Sequence, residues 1–183
     1  MNITFNEVTL NDLMIVKDIR NANLQNLRTP HLLTRKMQED FFDNVINNRH
    51  HNSRYWSVYQ KEQVQIVGGV TMDKDVCIGM VGINNIQWEN RLGEISFMID
   101  AENNIYKFVF NILLNYAFNV LNLDNIFAEV YECHNKYELW EDIGVDYNAY
   151  MTILPERKYN NGLFYDSTFM KFSKKYIKEE NDE

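Results

Sequence analysis

Glycine, proline and cysteine are all scarce in this sequence, and each shortage narrows what it can be. Its 183 residues include 7 glycines, 2 prolines and 2 cysteines. Glycine stands at roughly 4%, against an average of about 7%, so any function resting on a glycine-rich loop must be looked for with suspicion. Cys77 and Cys133 lie far apart with no CxxC spacing, and only His134 neighbours either one. That excludes a disulfide scaffold and argues against metal binding, and both read as free thiols in a reducing cytoplasm. Apolar runs are short as well. None approaches the length of a spanning helix, and the opening residues Met1 to Glu7 have neither the basic nor the apolar region of a secretory signal. Basic charge is in deficit, with 18 Lys and Arg against 26 Asp and Glu for a net charge of -8. Neither a nucleic-acid footprint nor a membrane partner is expected from that balance.

What is present suffices for a core. Hydrophobic residues make up 45% and aromatics 14%, and the apolar patterns are regular, which argues against disorder despite heavy use of Asn. Ile3, Phe5 and Val8 alternate like a short strand, and Thr9 to Asn11 offers caps for a helix carrying Leu13, Val16 and Ile19. Thr34 caps a second helix with Met37, Phe41, Phe42, Val45 and Ile46 on one face. Residues 54–59, 64–72, 76–83 and 94–99 read as strands, broken by polar turns at Asp73-Lys74-Asp75 and Glu89-Asn90-Arg91. Tyr106, Val109, Phe110, Leu113, Leu114, Ala117, Phe118 and Leu121 then recur at three- and four-residue steps, the clearest helix in the chain. A strand at 126–131 follows, then a short helix stopping at Gly144 and two closing strands. Strand, helix and strand with short connections suggest a crossover between parallel neighbours. The expectation is one mixed α/β domain over residues 1–176, with a charged tail at 177–183 that frays.

Five segments in this order resemble the GNAT superfamily of N-acetyltransferases, in the branch holding ribosomal-protein alanine and spermidine acetyltransferases. They are Ile78-Gly79-Met80-Val81-Gly82-Ile83, Glu94-Ile95-Ser96-Phe97-Met98-Ile99-Asp100, Tyr116-Ala117-Phe118-Asn119-Val120-Leu121-Asn122-Leu123, the stretch 135–144, and Gly162-Leu163-Phe164-Tyr165-Asp166. The resemblance implies a mostly antiparallel twisted sheet flanked by helices, with one splayed parallel strand pair. It implies acetyl-CoA as co-substrate in the splay, its pantetheine arm paired with backbone groups of Phe97, Met98 and Ile99. It further implies a small-molecule amine acceptor, of polyamine or amino-sugar type. A catalytically degenerate binding module and an acetyltransferase acting on a protein amine are the two alternatives.

The scarce glycines matter most at the diphosphate loop. The family uses a Gln/Arg-x-x-Gly-x-Gly/Ala pattern there, so that backbone N–H groups at a helix start can approach the phosphates. This chain has Asp100-Ala101-Glu102-Asn103-Asn104-Ile105-Tyr106-Lys107, with no glycine. Asn103 and Asn104 tolerate left-handed backbone, which keeps a phosphate-facing turn open, and Lys107 could supply charge. A plain Asn-capped helix with Ile105 and Tyr106 filling the cleft is the other reading. Among carboxylates, Glu94 is the first candidate for general base, with Glu132 and Glu129 on the next strand as alternates. Alternation puts Glu129 on the face opposite Glu132, and Glu129 is also a candidate for binding a cationic acceptor. Asn135 matches the Asn that contacts the cofactor arm. Trp140 stands where the family often has an acidic Tyr, and its indole N–H is no practical acid. Arg28 is placed near the acceptor, for an anionic group or a surface ion pair. His31, His50 and His51 read as surface loop residues. An extra stretch at residues 63–75 suits a lengthened hairpin over the acceptor cleft or a homodimer contact.

Overall fold

The computed structural model of this protein describes residues 2–48, 52–65 and 71–176. Among the described residues the strands are β1 (Ile3–Asn6), β2 (Arg54–Gln65), β3 (Thr71–Gln87), β4 (Leu92–Ile99), β5 (Asn125–Tyr131), β6 (Tyr150–Asn160) and β7 (Leu163–Ser173). They form one sheet in the order β1-β2-β3-β4-β5-β7-β6, antiparallel throughout except for the parallel pair β4–β5. The helices are α1 (Leu10–Ala22), α2 (Arg35–Phe41), α3 (Asn103–Asn115) and α4 (Tyr137–Asp146); α2 and α3 each run on into a wider turn, Phe42–Ile46 and Tyr116–Val120. No helix among the described residues is long and apolar enough to cross a membrane.

Each face of the sheet collects its own helices. Leu13 and Val16 of α1 are buried against Met80, with Phe41, Phe42, Tyr55 and Met98 packed around them. On the other face, Val109, Phe110, Leu113 and Leu114 of α3 and Leu139, Trp140 and Ile143 of α4 are buried with Val81, Ile83, Ile126 and Phe172. Alternation along β4 therefore sends Ile95, Phe97 and Ile99 toward α3 and α4, and Glu94, Ser96 and Met98 toward α1 and α2.

A capping box starts α1. The Thr9 hydroxyl accepts from Asp12 N–H and the Asp12 carboxylate accepts from Thr9 N–H. Replacing Thr9 with alanine should cost about 1 kcal/mol in urea unfolding. Asp12 is only 2% exposed, and it also accepts from the Ser57 hydroxyl at 2.8 Å and from the Tyr59 hydroxyl of β2. Burial raises its affinity for a proton, but those bonds outweigh burial and hold the carboxyl below its ordinary range.

Three expectations need correction. Residues 73–75 form no turn, because β3 runs straight through them, with Lys61 opposite Asp75 and Glu62 opposite Lys74 in β2. Opposed charges across the ladder explain the polar run. α4 does not stop at Gly144 but passes through it to Asp146. That glycine serves close approach, since a Cβ there would lie 2.5 Å from the Met151 sulfur of β6. The third concerns Asn103 and Asn104, which are right-handed helical residues of α3, with Glu102 as N-cap and no side-chain cap. Within the extra stretch at 63–75, the described residues pair as β2 with β3 out to Gln65 and Thr71, and residues 66–70 lie outside the described residues. His50, His51 and the tail at 177–183 lie outside the described residues, and His31 is exposed.

Candidate functional site

The parallel pairing of β4 with β5 covers Leu92–Asn125, Gly93–Ile126 and Glu94–Phe127, and then stops. Beyond it the strands part around a cavity of about 370 Å³. Which backbone groups face that opening follows from the ladders on either side. Asp100 N–H donates to Ile78 C=O at 2.8 Å, so alternation turns the main chain of Met98 toward β3 and that of Phe97 and Ile99 into the cleft. Glu132 N–H donates to Asp166 C=O at 3.1 Å, which by the same logic turns the main chain of Glu129 and Tyr131 inward from β5. Met98 was expected to contribute backbone groups; the register gives that role to Phe97 and Ile99 alone. An extended polar chain laid in the opening would find strand-like donors and acceptors already aligned.

At the head of the cleft, on the α1 face, four charged side chains interlock. The Arg28 Nη2 lies 2.9 Å from Glu94 Oε1 and 3.2 Å from Glu129 Oε2. Arg157 Nε donates to Glu129 Oε1 at 3.0 Å, as does the Ser167 hydroxyl at 2.8 Å. Asn85 Nδ2 donates to Glu94 Oε2 at 2.6 Å. Asn85 has φ of +50° at a register shift between Asn84 and Gln87, a bulge that re-aims its amide at the carboxylate. The two carboxylates are nearly covered, at 12% and 6% exposure, while the two guanidiniums are half exposed at 55% and 51%. Burial pushes the Glu129 carboxyl up, but Arg157, Ser167 and Arg28 outweigh it and hold it below the usual range. The Asn84 side chain bonds with Tyr55, but its Oδ1 lies buried with no hydrogen-bond partner among the described residues, and Asn84 lines the same cavity.

The far end is aromatic. Tyr106 packs on Phe97 at 4.5 Å between ring centres and edge-on to Trp140 at 5.8 Å, and both Tyr106 and Trp140 are buried. Burial drives the Tyr106 hydroxyl well above its ordinary pKa, so it stays neutral. Above this floor α3 begins. Asn104 Oδ1 accepts from Ile105 N–H at 2.7 Å. Lys136 Nζ lies 3.0 Å from Asn103 Oδ1 and 5.3 Å over the Tyr106 ring, placing a cation beside the helix start. Lys107, expected there, points away. Its ammonium pairs with Asp146 at 2.8 Å, because Tyr106 and Phe110 take the inward stripe of α3.

The connection from α1 to α2 is stitched across the cleft. Asn26 Nδ2 donates to Asn135 Oδ1 at 2.8 Å, and Asn135 N–H donates back to Asn26 Oδ1 at 3.0 Å. Lys158 of β6 is buried, donates to the carbonyls of Gln25 and Leu27, and sits 5.0 Å over the Tyr131 ring. His134 accepts from Lys136 N–H at Nδ1. Burial first, then the charges of Lys158 and Lys136, lower its pKa to about 4, so the ring is neutral at pH 7.

Of the residues singled out in the sequence, the fold brings Glu94, Glu129, Arg28, Phe97, Met98, Ile99, Tyr106, Asn135 and Trp140 to one cavity. Glu132 is not among them; its Oε2 accepts from Asp166 N–H at 3.3 Å on β7. Asn104 stands at the helix start rather than in the cavity lining. Asn84, Lys136 and Arg157 went unremarked in the sequence. Their only local signals are an Asn opposite Glu94 across the ladder, a Lys after Asn135, and basic residues in a closing strand.

Residues 2–137 match a family described as an acetyltransferase (GNAT) domain. No curated protein matches the chain significantly. Among solved structures, a spermidine N-acetyltransferase of Vibrio cholerae in complex with CoA and spermine is 20% identical, with a TM-score of 0.74, covering 96% of this chain and 97% of that one. A dodecameric form of spermidine N-acetyltransferase from the same organism, in an intermediate state, is 19% identical with a TM-score of 0.70, covering 94% of each chain. At such identities the likeness is one of fold.

Proposed function

This chain belongs to the GNAT acetyltransferase family, and on that premise we propose that it moves acetyl from acetyl-CoA to a primary amine of a small molecule, of the polyamine or amino-sugar kind. The observation that carries the reading is the splay of β4 from β5, which opens inward-facing backbone groups below a pair of half-buried carboxylates. The cleft fits the cofactor. The main chain of Phe97 and Ile99 would hold the pantetheine arm as an added strand. The first-turn N–H groups of Asn103 and Asn104, with the Lys136 ammonium beside them, would hold the diphosphate in place of a glycine loop. When bound, acetyl-CoA supplies the activated acyl group.

The remaining chemistry belongs to side chains on the α1 face. Glu94 takes a proton from the acceptor's ammonium and so frees the nitrogen lone pair. Glu129 stays ionised and holds the cation while that happens. Tyr106, Phe97 and Trp140 close the floor and exclude water from the cleft. A polyamine suits the paired carboxylates, and the neighbouring structure with bound spermine supports that class. Two free thiols suit the cytoplasm. Exposed Tyr150, Ile153, Tyr159, Leu163 and Phe164 on the β6–β7 hairpin support self-association.

Acetyl-CoA at a hundredfold excess over its Kd is expected to stabilise the fold by about 2.7 kcal/mol, raising the melting temperature by about 5–10 °C. Release of free thiol with spermidine or glucosamine as acceptor should accompany it. No thermal shift at millimolar acetyl-CoA would rule out the cofactor. A shift with no thiol release across the panel would favour a binding module instead, the reading that the buried Tyr106–Trp140 floor also suits.

A further inference from the structure

We propose that the Nη2 nitrogen of Arg28 stands in for the acceptor's ammonium group, and that a cationic acceptor must displace this side chain to reach Glu94. The inference rests on the proposed amine-acetylating activity and adds a residue that sets its specificity.

The geometry is that of a ligand site already filled by the protein. One terminal guanidinium nitrogen bridges two carboxylates on different strands, at 2.9 and 3.2 Å; the Tyr131 hydroxyl also engages the guanidinium, which makes no other ion pair among the described residues. Arginine normally meets carboxylates through its two-pronged fork, which gives the stronger bond. Here a single nitrogen enters between Glu94 and Glu129, as a primary ammonium would. The match is incomplete in a telling way. A guanidinium Nη has two protons, and both carboxylates use them. An ammonium has three, and Asn84, opposite Glu94 in the ladder and lining the same cavity, offers a buried Oδ1 with no partner among the described residues as an acceptor for the third.

The occupant is also built to leave. Arg28 is 55% exposed and sits on the irregular connection after α1, whereas the carboxylates are held in place by further bonds from Asn85, Arg157 and Ser167. Exchanging one cation for another costs no uncompensated burial of Glu94 or Glu129, so the closed state protects the pair until an amine arrives. The closed population also lowers apparent affinity by the fraction of open sites. Neutral amines gain nothing from the exchange, and the site selects cationic acceptors.

The test is calorimetric titration of spermidine and of methylguanidinium, without acetyl-CoA, into the wild type, Arg28→Gln and Arg157→Gln. Both arginines are half exposed, and melting temperatures would confirm that each variant folds. Arg28→Gln is expected to bind both cations about tenfold more tightly than wild type. Arg157→Gln removes the same charge from Glu129 but leaves the Arg28 nitrogen in place, and should gain much less. Equal gains in the two variants would overturn the proposal, since charge alone would then explain them. Unchanged or weaker binding in Arg28→Gln would also overturn it, as would no binding of either cation to any of the three proteins. Tighter binding confined to Arg28→Gln, with no acetyl transfer by any protein, would retire the acetyltransferase reading and leave the ammonium site standing.

Discussion

Replacing Glu94 with glutamine is expected to lower kcat by about a hundred- to ten-thousand-fold, the range for removing a positioned general base, with acetyl-CoA binding unchanged. The amide keeps the shape of the side chain and can still accept from Asn85, which now donates at 2.6 Å. It cannot take the proton. Cofactor affinity should persist because the groups assigned to the cofactor are backbone atoms of Phe97 and Ile99 and the start of α3, away from the carboxylate. Glu94 is also one of two anchors for Arg28, so Glu94→Gln could lose activity by freeing that side chain. Arg28→Gln separates the two explanations: it removes the arginine and retains the base. Steady-state kinetics on both decide the matter, and a drop of less than about fivefold in Glu94→Gln would remove Glu94 from the role.

Replacing Asp12 with alanine should cost about 3–5 kcal/mol, the range for removing one member of a buried charged network. Thr9 N–H and the hydroxyls of Ser57 and Tyr59 lose their common acceptor, and Ser57 is fully buried. Urea unfolding at neutral pH measures the loss. The pH dependence is the sharper check. The native Asp12 carboxyl titrates below its ordinary value, so its contribution is complete above about pH 5, beyond the unfolded value near 3.9. It is lost as pH falls through the lower native value. The gap between wild type and Asp12→Ala should therefore be constant from pH 5 upward and narrow in acid. A gap independent of pH down to 2 would mean that the network is held by packing rather than by the charge.

The elements legible in the sequence were those whose burial follows one period. α3 shows its inward stripe from Ile105 to Phe118 without interruption, and the crossover it makes forced β4 and β5 to be parallel. Misreadings occurred where a residue type has two uses. Asp73, Lys74 and Asp75 look like a turn until Lys61 and Glu62 are placed across from them. Gly144 looks like a helix stop until Met151 is packed against it. The site divides the same way. Glu94 is named from the family resemblance, and Glu129 beside Glu132 as alternates; alternation then fixes only that Glu129 and Glu132 take opposite faces. Lys107 is the cation that the sequence places at the helix start, and Lys136 draws no notice there. Within α3 Lys107 is turned outward toward Asp146, and the cation at the cleft comes from the turn before α4 instead. The two-carboxylate grip on Arg28 joins residues 66 and 101 positions apart; no local pattern encodes it.

The stitching of the α1–α2 connection sets when the site can exist during folding. Gln25, Asn26 and Leu27 are held by partners 109 to 133 residues further along, on the β5–α4 turn and on β6. Such distant pairings close late, after the entropy of the intervening loops has been lost. Until Lys158 arrives, the connection that delivers Arg28 to the carboxylates has Asn135 to hold Asn26 but lacks the ammonium that binds the carbonyls of Gln25 and Leu27. A nascent or truncated chain ending before β6 could hold α1, the β2–β3 hairpin and α3 and still lack a formed acceptor mouth. Competence to bind the acceptor is thus a report on the chain as far as β6, whose Lys158 completes the mouth.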